Sequence, residues 1–207
     1  MGMMAIRRAL LAQQGGGILP GIYRQLEWIG SDGNQYIDTS YVPVQGDEFN
    51  VSFIQTGNGS TFRALFCAGT GTYQSVVLLP QNVGSGGGFI RYFSSGSKQF
   101  TFAYGSDLLN ITIDKDGVLS VDNHYLATCA FENDLDGDNA YIRIFRRANG
   151  NNPMSGKLYG FTVTNNGVDK LKLIPCLRIS DSKPGVYDTV SESFYANAGT
   201  GDFTIPT

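Results

Sequence analysis

Gly33-Asn34-Gln35-Tyr36-Ile37-Asp38-Thr39-Ser40-Tyr41, near the start of the chain, is answered near its end by Gly185-Val186-Tyr187-Asp188-Thr189 and by Phe194-Tyr195-Ala196-Asn197-Ala198-Gly199-Thr200-Gly201. These strings are turn-rich in Tyr, Asp, Thr and Gly, and they flank a long run of strand-like sequence. Such a bracket is expected of one closed β domain whose two ends meet. Within it, Asp47 to Gln55 sets Phe49, Val51 and Phe53 between polar neighbours, the alternation of a half-buried strand. Comparable runs follow at Thr61 to Ala68, Tyr73 to Leu79, Phe89 to Phe93, Gln99 to Tyr104 and Leu109 to Asp114, with turn residues between them. Asp116-Gly117 and Asn166-Gly167 each divide two strand-like runs, and Asx-Gly supplies the positive φ angles of tight hairpin turns. Ala140 to Arg147 also alternates as a strand would. The expected fold is all-β: a two-sheet antiparallel jelly-roll sandwich, residues 19–207, with no helix after a short N-terminal arm.

Composition agrees. The chain has 207 residues, of which 27 are glycine, nearly twice the usual share, and only 16% are charged. A length of this order suits a single all-β core. The formal net charge of −3 excludes a general binder of nucleic acid, whose affinity comes from a basic surface. Arg7-Arg8 and Arg146-Arg147 are basic pairs too short to form a stripe. Cys67, Cys129 and Cys176 are odd in number, far apart and set among apolar residues, which reads as buried thiols rather than a disulfide framework.

Residues 1–18 differ in character. Met1 to Gln14 favours helix, with Ile6, Ala9 and Leu10 at helical spacing, and Gly15-Gly16-Gly17 separates it from the strand-like region. A helix this short needs something to pack on. The segment carries no apolar stretch of signal-peptide length, and no run is long enough to span a bilayer, so neither secretion nor a membrane is expected.

Catalytic chemistry finds little support. Glu27, Glu48, Glu132 and Glu192 are isolated from one another, whereas glycoside hydrolysis needs paired carboxyl groups. His124 is the single histidine and lies beside a turn. Asp134-Leu135-Asp136-Gly137-Asp138-Asn139 begins as calcium loops do, with carboxylates at alternate positions. The EF-hand pattern then fails, because Asn139 stands in place of its Gly and Phe145 in place of its bidentate Glu. A solvated acidic turn is the expectation, with no cofactor. Trp28, Tyr73, Tyr92, Phe93 and Tyr104 could stack on sugar rings, although most are expected to pack in the core or on a sheet face, and the loops Gly84 to Gly88 and Asn149 to Asn152 could supply a polar rim.

Several of these segments resemble the LamG-like branch of the concanavalin A-like lectin/glucanase superfamily. Asn110 to Asn123 is similar to that family's central hairpin and Met154 to Val163 to its returning strand. Leu19-Pro20 with Tyr23, Leu26-Glu27-Trp28-Ile29, Gly33 to Thr39, Ile174 to Arg178 and Gly185 to Thr189 resemble the LamG-like domains of tailed-bacteriophage and prophage virion proteins. The resemblance implies a non-enzymatic structural virion protein, a capsid decoration or head fibre made in the host bacterial cytoplasm. Ile6, Arg7, Arg8, Leu10 and Leu11 would then dock on a capsid partner, and the resemblance makes a trimer a reasonable expectation. A glycan-binding adhesin module is the alternative.

Overall fold

The computed structural model describes residues 19–56, 63–69, 74–79, 88–94, 98–100, 107–129, 140–147 and 153–207. The arm, and with it Ile6, Arg7, Arg8, Leu10 and Leu11, lies outside the described residues, as do Asp134 to Asp138, Tyr73 and Tyr104.

Among the described residues every regular element is a strand and every pairing is antiparallel. The strands are β1 (Tyr23–Gln25), β2 (Ile29–Asp32), β3 (Ile37–Asp38), β4 (Asp47–Gln55), β5 (Arg63–Ala68), β6 (Gln74–Leu79), β7 (Gly88–Ser94) and β8 (Lys98–Phe100). Then come β9 (Leu109–Ile113), β10 (Val118–Val121), β11 (His124–Thr128), β12 (Arg143–Ile144), β13 (Ser155–Asn165), β14 (Val168–Arg178), β15 (Lys183–Asp188) and β16 (Ser193–Ala196). One sheet runs β11-β10-β9-β4-β13-β14-β15-β16, with β1 added to β14 and β2 to β13; the other runs β3-β12-β5-β6-β7-β8. Beyond Phe161 and Leu173 the long strands β13 and β14 part, and β2 and β1 pair with the separated ends.

The period-two patterns decide which faces meet. Phe49, Val51 and Phe53 of β4, Ile111 and Ile113 of β9, and Phe161 and Val163 of β13 point inward against Phe66 of β5 and Ile90 and Tyr92 of β7. Phe66 is the cross-sheet hinge of this core, stacked on Phe49 at 5.3 Å and edge-on to Phe161 at 5.1 Å. Each such side chain contributes roughly 1.5–3 kcal/mol on burial.

Turn chemistry divides into two kinds. Asn166 and Gly167 both have positive φ, as do Asp122 and Asn123, which form a two-residue turn from β10 into β11, the turn beside His124. At Asp116-Gly117 only Gly117 has positive φ, and Gly117 N–H donates to Asp114 O at 3.0 Å. That is a longer loop closed by a left-handed glycine. Asp114 Oδ1 caps it by accepting from Asp116 N and Val118 N, both at 2.9 Å. The strand expected over Ala140 to Arg147 shrinks to Arg143 and Ile144, because Phe145 takes φ 74° and turns the chain away.

Cys67, Cys129 and Cys176 are buried thiols. Burial alone pushes the Cys176 thiol up to about 12. Asp47 is fully buried at the start of β4, where Oδ2 accepts from Tyr41 OH and Val44 N, both at 2.8 Å, and Oδ1 from Asn165 Nδ2 at 2.9 Å. Tyr92 OH shares its one proton between Asp47 O at 2.9 Å and Lys115 O at 3.1 Å.

Burial first, and the neighbouring Asp47 second, raise both the Tyr41 and Tyr92 phenols above the ordinary 10.0. Groups with a raised folded pKa stabilise the fold fully below the unfolded value and lose that contribution as pH rises through the folded one. Urea midpoints should therefore hold up to about pH 10 and fall above it. The Tyr41→Phe/Tyr92→Phe double variant should fall less steeply there; an unchanged alkaline slope would show that these phenols do not govern it.

Candidate functional site

The opening and closing strings of the bracket lie against one another. Asn197 Oδ1 accepts from Tyr36 N at 3.0 Å, Ala198 N donates to Tyr36 O at 2.9 Å, and Thr200 N donates to Asn34 O at 3.2 Å. Ser40 Oγ and Tyr195 OH are 2.5 Å apart. Gly199 is required at this contact, since a Cβ there would sit 2.0 Å from Asn34 O.

This seam adjoins a corner built from β3 and β12. Arg143 stands opposite Asp38 in the register, and its Nε and Nη2 donate to the two Asp38 carboxylate oxygens, the latter at 2.8 Å. The pairing holds the Arg143 guanidinium above its ordinary pKa, against the effect of burial. The same guanidinium lies 4.7 Å from the Tyr36 ring centroid and that of Arg146 lies 5.3 Å away. Residues three apart on a regular strand project to opposite faces. Both guanidiniums reach one ring because Phe145, which lies between the two arginines, is left-handed.

That conformation is costly for a bulky side chain, on the order of 1–2 kcal/mol. It persists because the Phe145 ring is fully buried, 6.1 Å from both Phe53 and Phe203, and because the backbone is pinned on both sides. Phe145 N donates to Leu65 O at 2.8 Å and Phe145 O accepts from Met154 N at 2.7 Å. Tyr141, two residues before Arg143, is 56% exposed. In sequence the corner lies between the Asp134 to Asn139 and Asn149 to Asn152 segments, which are outside the described residues.

Chemically, the corner offers an aromatic ring, an exposed phenol, a guanidinium–carboxylate fork and hydroxyls in fixed positions. Those groups can stack on a C–H face and exchange hydrogen bonds with hydroxyls. Of the aromatics that could have met sugars, most of them expected to pack in the core or on a sheet face, Tyr92 is in the core, while Trp28 is half-buried with Lys157 Nζ 4.1 Å from its ring centroid. Phe93 belongs to β7. The sequence reading missed Tyr36, Asp38 and Arg143 as a group. The available signal was an Arg at position 143 and another at 146 flanking an apolar pair.

His124 is exposed at the start of β11, and Glu27 and Glu192 are exposed on separate segments while Glu48 belongs to β4. Among the described residues no group of three or more His, Cys, Asp or Glu side chains could hold a metal ion, and no helix is long and apolar enough to cross a membrane.

No family model matches the chain, and no curated protein matches it. Among solved structures, a "putative carbohydrate binding protein" from Bacteroides ovatus ATCC 8483 is similar, at a TM-score of 0.57 and 15% identity. The alignment covers 89% of this chain, which spans 60% of the length of that one. At this identity the likeness is one of fold, a β-sandwich.

Proposed function

We propose that the domain is a non-enzymatic carbohydrate-binding module whose ligand is held at the Tyr36 corner. The observation that carries the reading is the convergence of Arg143 and Arg146 on Tyr36, maintained at the expense of a strained, buried Phe145. Strain of this kind collects at functional sites. The description of the Bacteroides ovatus neighbour supports the same ligand class. On a glycan array the protein should bind saturably to a defined set of sugars. Tyr141→Ala should weaken that binding by about tenfold, roughly 1.4 kcal/mol, while stability stays within about 0.5 kcal/mol. Binding that is absent from the array, or indifferent to Tyr141 and Tyr36, would overturn the assignment.

The setting we propose for this module is a tailed-phage virion, as a capsid decoration or head-fibre protein. The observation favouring it is the arm sequence, where Ile6, Leu10 and Leu11 sit beside Arg7 and Arg8 and a triple glycine joins them to the domain. Replacing Ile6, Leu10 and Leu11 by Ser should abolish incorporation into particles and leave the domain's urea midpoint unchanged. Normal incorporation would refute docking through the arm.

A further inference from the structure

Alternate residues of β16 serve two surfaces. Tyr195 turns to the rim and meets Ser40, whereas Phe194 lies on the outer face of the large sheet, opposite Tyr187 in the register. There the Phe194 ring stacks on Tyr23 with centroids 5.4 Å apart and 20° between planes, and Tyr23 meets Tyr187 at 4.8 Å. The Arg178 guanidinium lies 4.7 Å from the Phe194 centroid. It is oriented by a two-pronged pair with Asp181, Nε to Oδ1 at 3.0 Å and Nη2 to Oδ2 at 2.7 Å. Gly185 lets the ring lie against the sheet, since a Cβ there would sit 2.7 Å from Phe194. Tyr187 is 5% exposed and serves as the floor, while Tyr23 and Phe194 are only half-buried and Asp181 is exposed.

Packing explains why these rings cover the sheet. It does not require a guanidinium–carboxylate fork fixed beside half-buried aromatic rings, a combination that can meet a pyranose with its exposed ring edges against C–H bonds and its fork against hydroxyls. Among the described strands β16 pairs with β15 alone, so its other edge separates this platform from the Tyr36 corner, and Tyr195 and Asn197 reach the corner from the same strand end.

We propose that the ligand is an oligosaccharide chain crossing the β16 edge, with one sugar at the Tyr36 corner and another on the Tyr23–Phe194 platform. This rests on the carbohydrate reading above. Both sites are already ordered by internal contacts, so binding sacrifices little side-chain entropy. Joining two sugars in one chain makes the second contact intramolecular.

The test uses the whole protein, titrated with a monosaccharide and with size-fractionated oligosaccharides from partial hydrolysis of a polysaccharide that the glycan array identifies. Affinity should rise with chain length by a factor of about ten or more, on the order expected for linked contacts, and then level off. Asp181→Asn, which leaves the rings in place, and Phe194→Leu should each remove about tenfold of that gain, so that long-chain affinity falls back towards that of the monosaccharide. Equal urea midpoints for Asp181→Asn and the parent keep folding out of the comparison. Affinity independent of length, or platform variants that keep the full gain with chain length, would overturn the spanning ligand while leaving the corner site standing. A protein that binds no sugar would overturn the carbohydrate reading itself.

Discussion

Asp47→Ala is expected to destabilise the domain by about 3 kcal/mol, because the carboxylate is the shared acceptor for three donors, two from the connection between β3 and β4 and one from the end of β13. Val44 N–H, Tyr41 OH and Asn165 Nδ2 all converge on it, and none of its own atoms is exposed. Removing the side chain leaves the part-buried Val44 amide without its partner and loses charge-assisted bonds from the other two donors, roughly 1 kcal/mol or more for each. Asp47→Asn should cost less, since one oxygen remains to accept and the Tyr41 hydroxyl can turn. Tyr41→Phe should cost about 1 kcal/mol, one hydrogen bond's worth. Urea denaturation of the three variants gives the order directly. An alanine variant as stable as the parent would mean that solvent satisfies these donors and that the carboxylate does not organise this end of the sheet.

Gly156→Ala is expected to cost about 2–3 kcal/mol, whereas Gly160→Ala, four positions along the same strand, should be nearly neutral. The difference is in what a methyl group would meet. At Gly156 it would lie 2.2 Å from Phe53 Cζ and 2.5 Å from Ile54 O. Phe53 is fully buried and tilted against Phe145 at 6.1 Å, so its ring cannot swing aside, and Ile54 O is backbone paired in the sheet. At Gly160 the nearest atom is Leu173 O at 3.9 Å, ordinary contact. The Gly156 change presses on Phe53 and, through it, on the ring that supports the left-handed turn. Loss of sugar binding in proportion to loss of stability is therefore the expected companion result. Equal midpoints for the two alanine variants would show that the core yields where the packing says it is rigid.

The sandwich was legible because its determinants are local. Phe49, Val51 and Phe53 alternate with polar residues, Asn166-Gly167 specifies its turn, and the bracket strings announce a seam by their turn residues; the seam is where Tyr36 meets Asn197 and Ala198. The candidate site was not legible, since it depends on a backbone state that sequence does not mark. Phe145 has no propensity for a left-handed conformation, and it adopts one because burial between Phe53 and Phe203 outweighs the strain. A regular strand over Ala140 to Arg147 would have sent Arg143 and Arg146 to opposite faces and left Tyr36 with one cationic neighbour. Asp122-Asn123 was legible only as a turn beside His124 and not as a tight hairpin, as neither position carries the glycine that usually signals one. The outer-face platform joins β1 to β16, residues 23 and 194, a separation at which no short motif can signal contact.

A backbone-amide NMR titration of the domain, with an oligosaccharide that the array shows it to bind, addresses the corner site without intermediaries. The largest shifts are expected on Tyr36, Asp38, Tyr141 and Arg143, with a second set at Phe194 and Asp181 for the longer chains. Shifts confined to β6, β7 and β8 on the far side of the small sheet, or a titration that moves no amide of the β3–β12 corner, would place the ligand elsewhere and overturn the assignment.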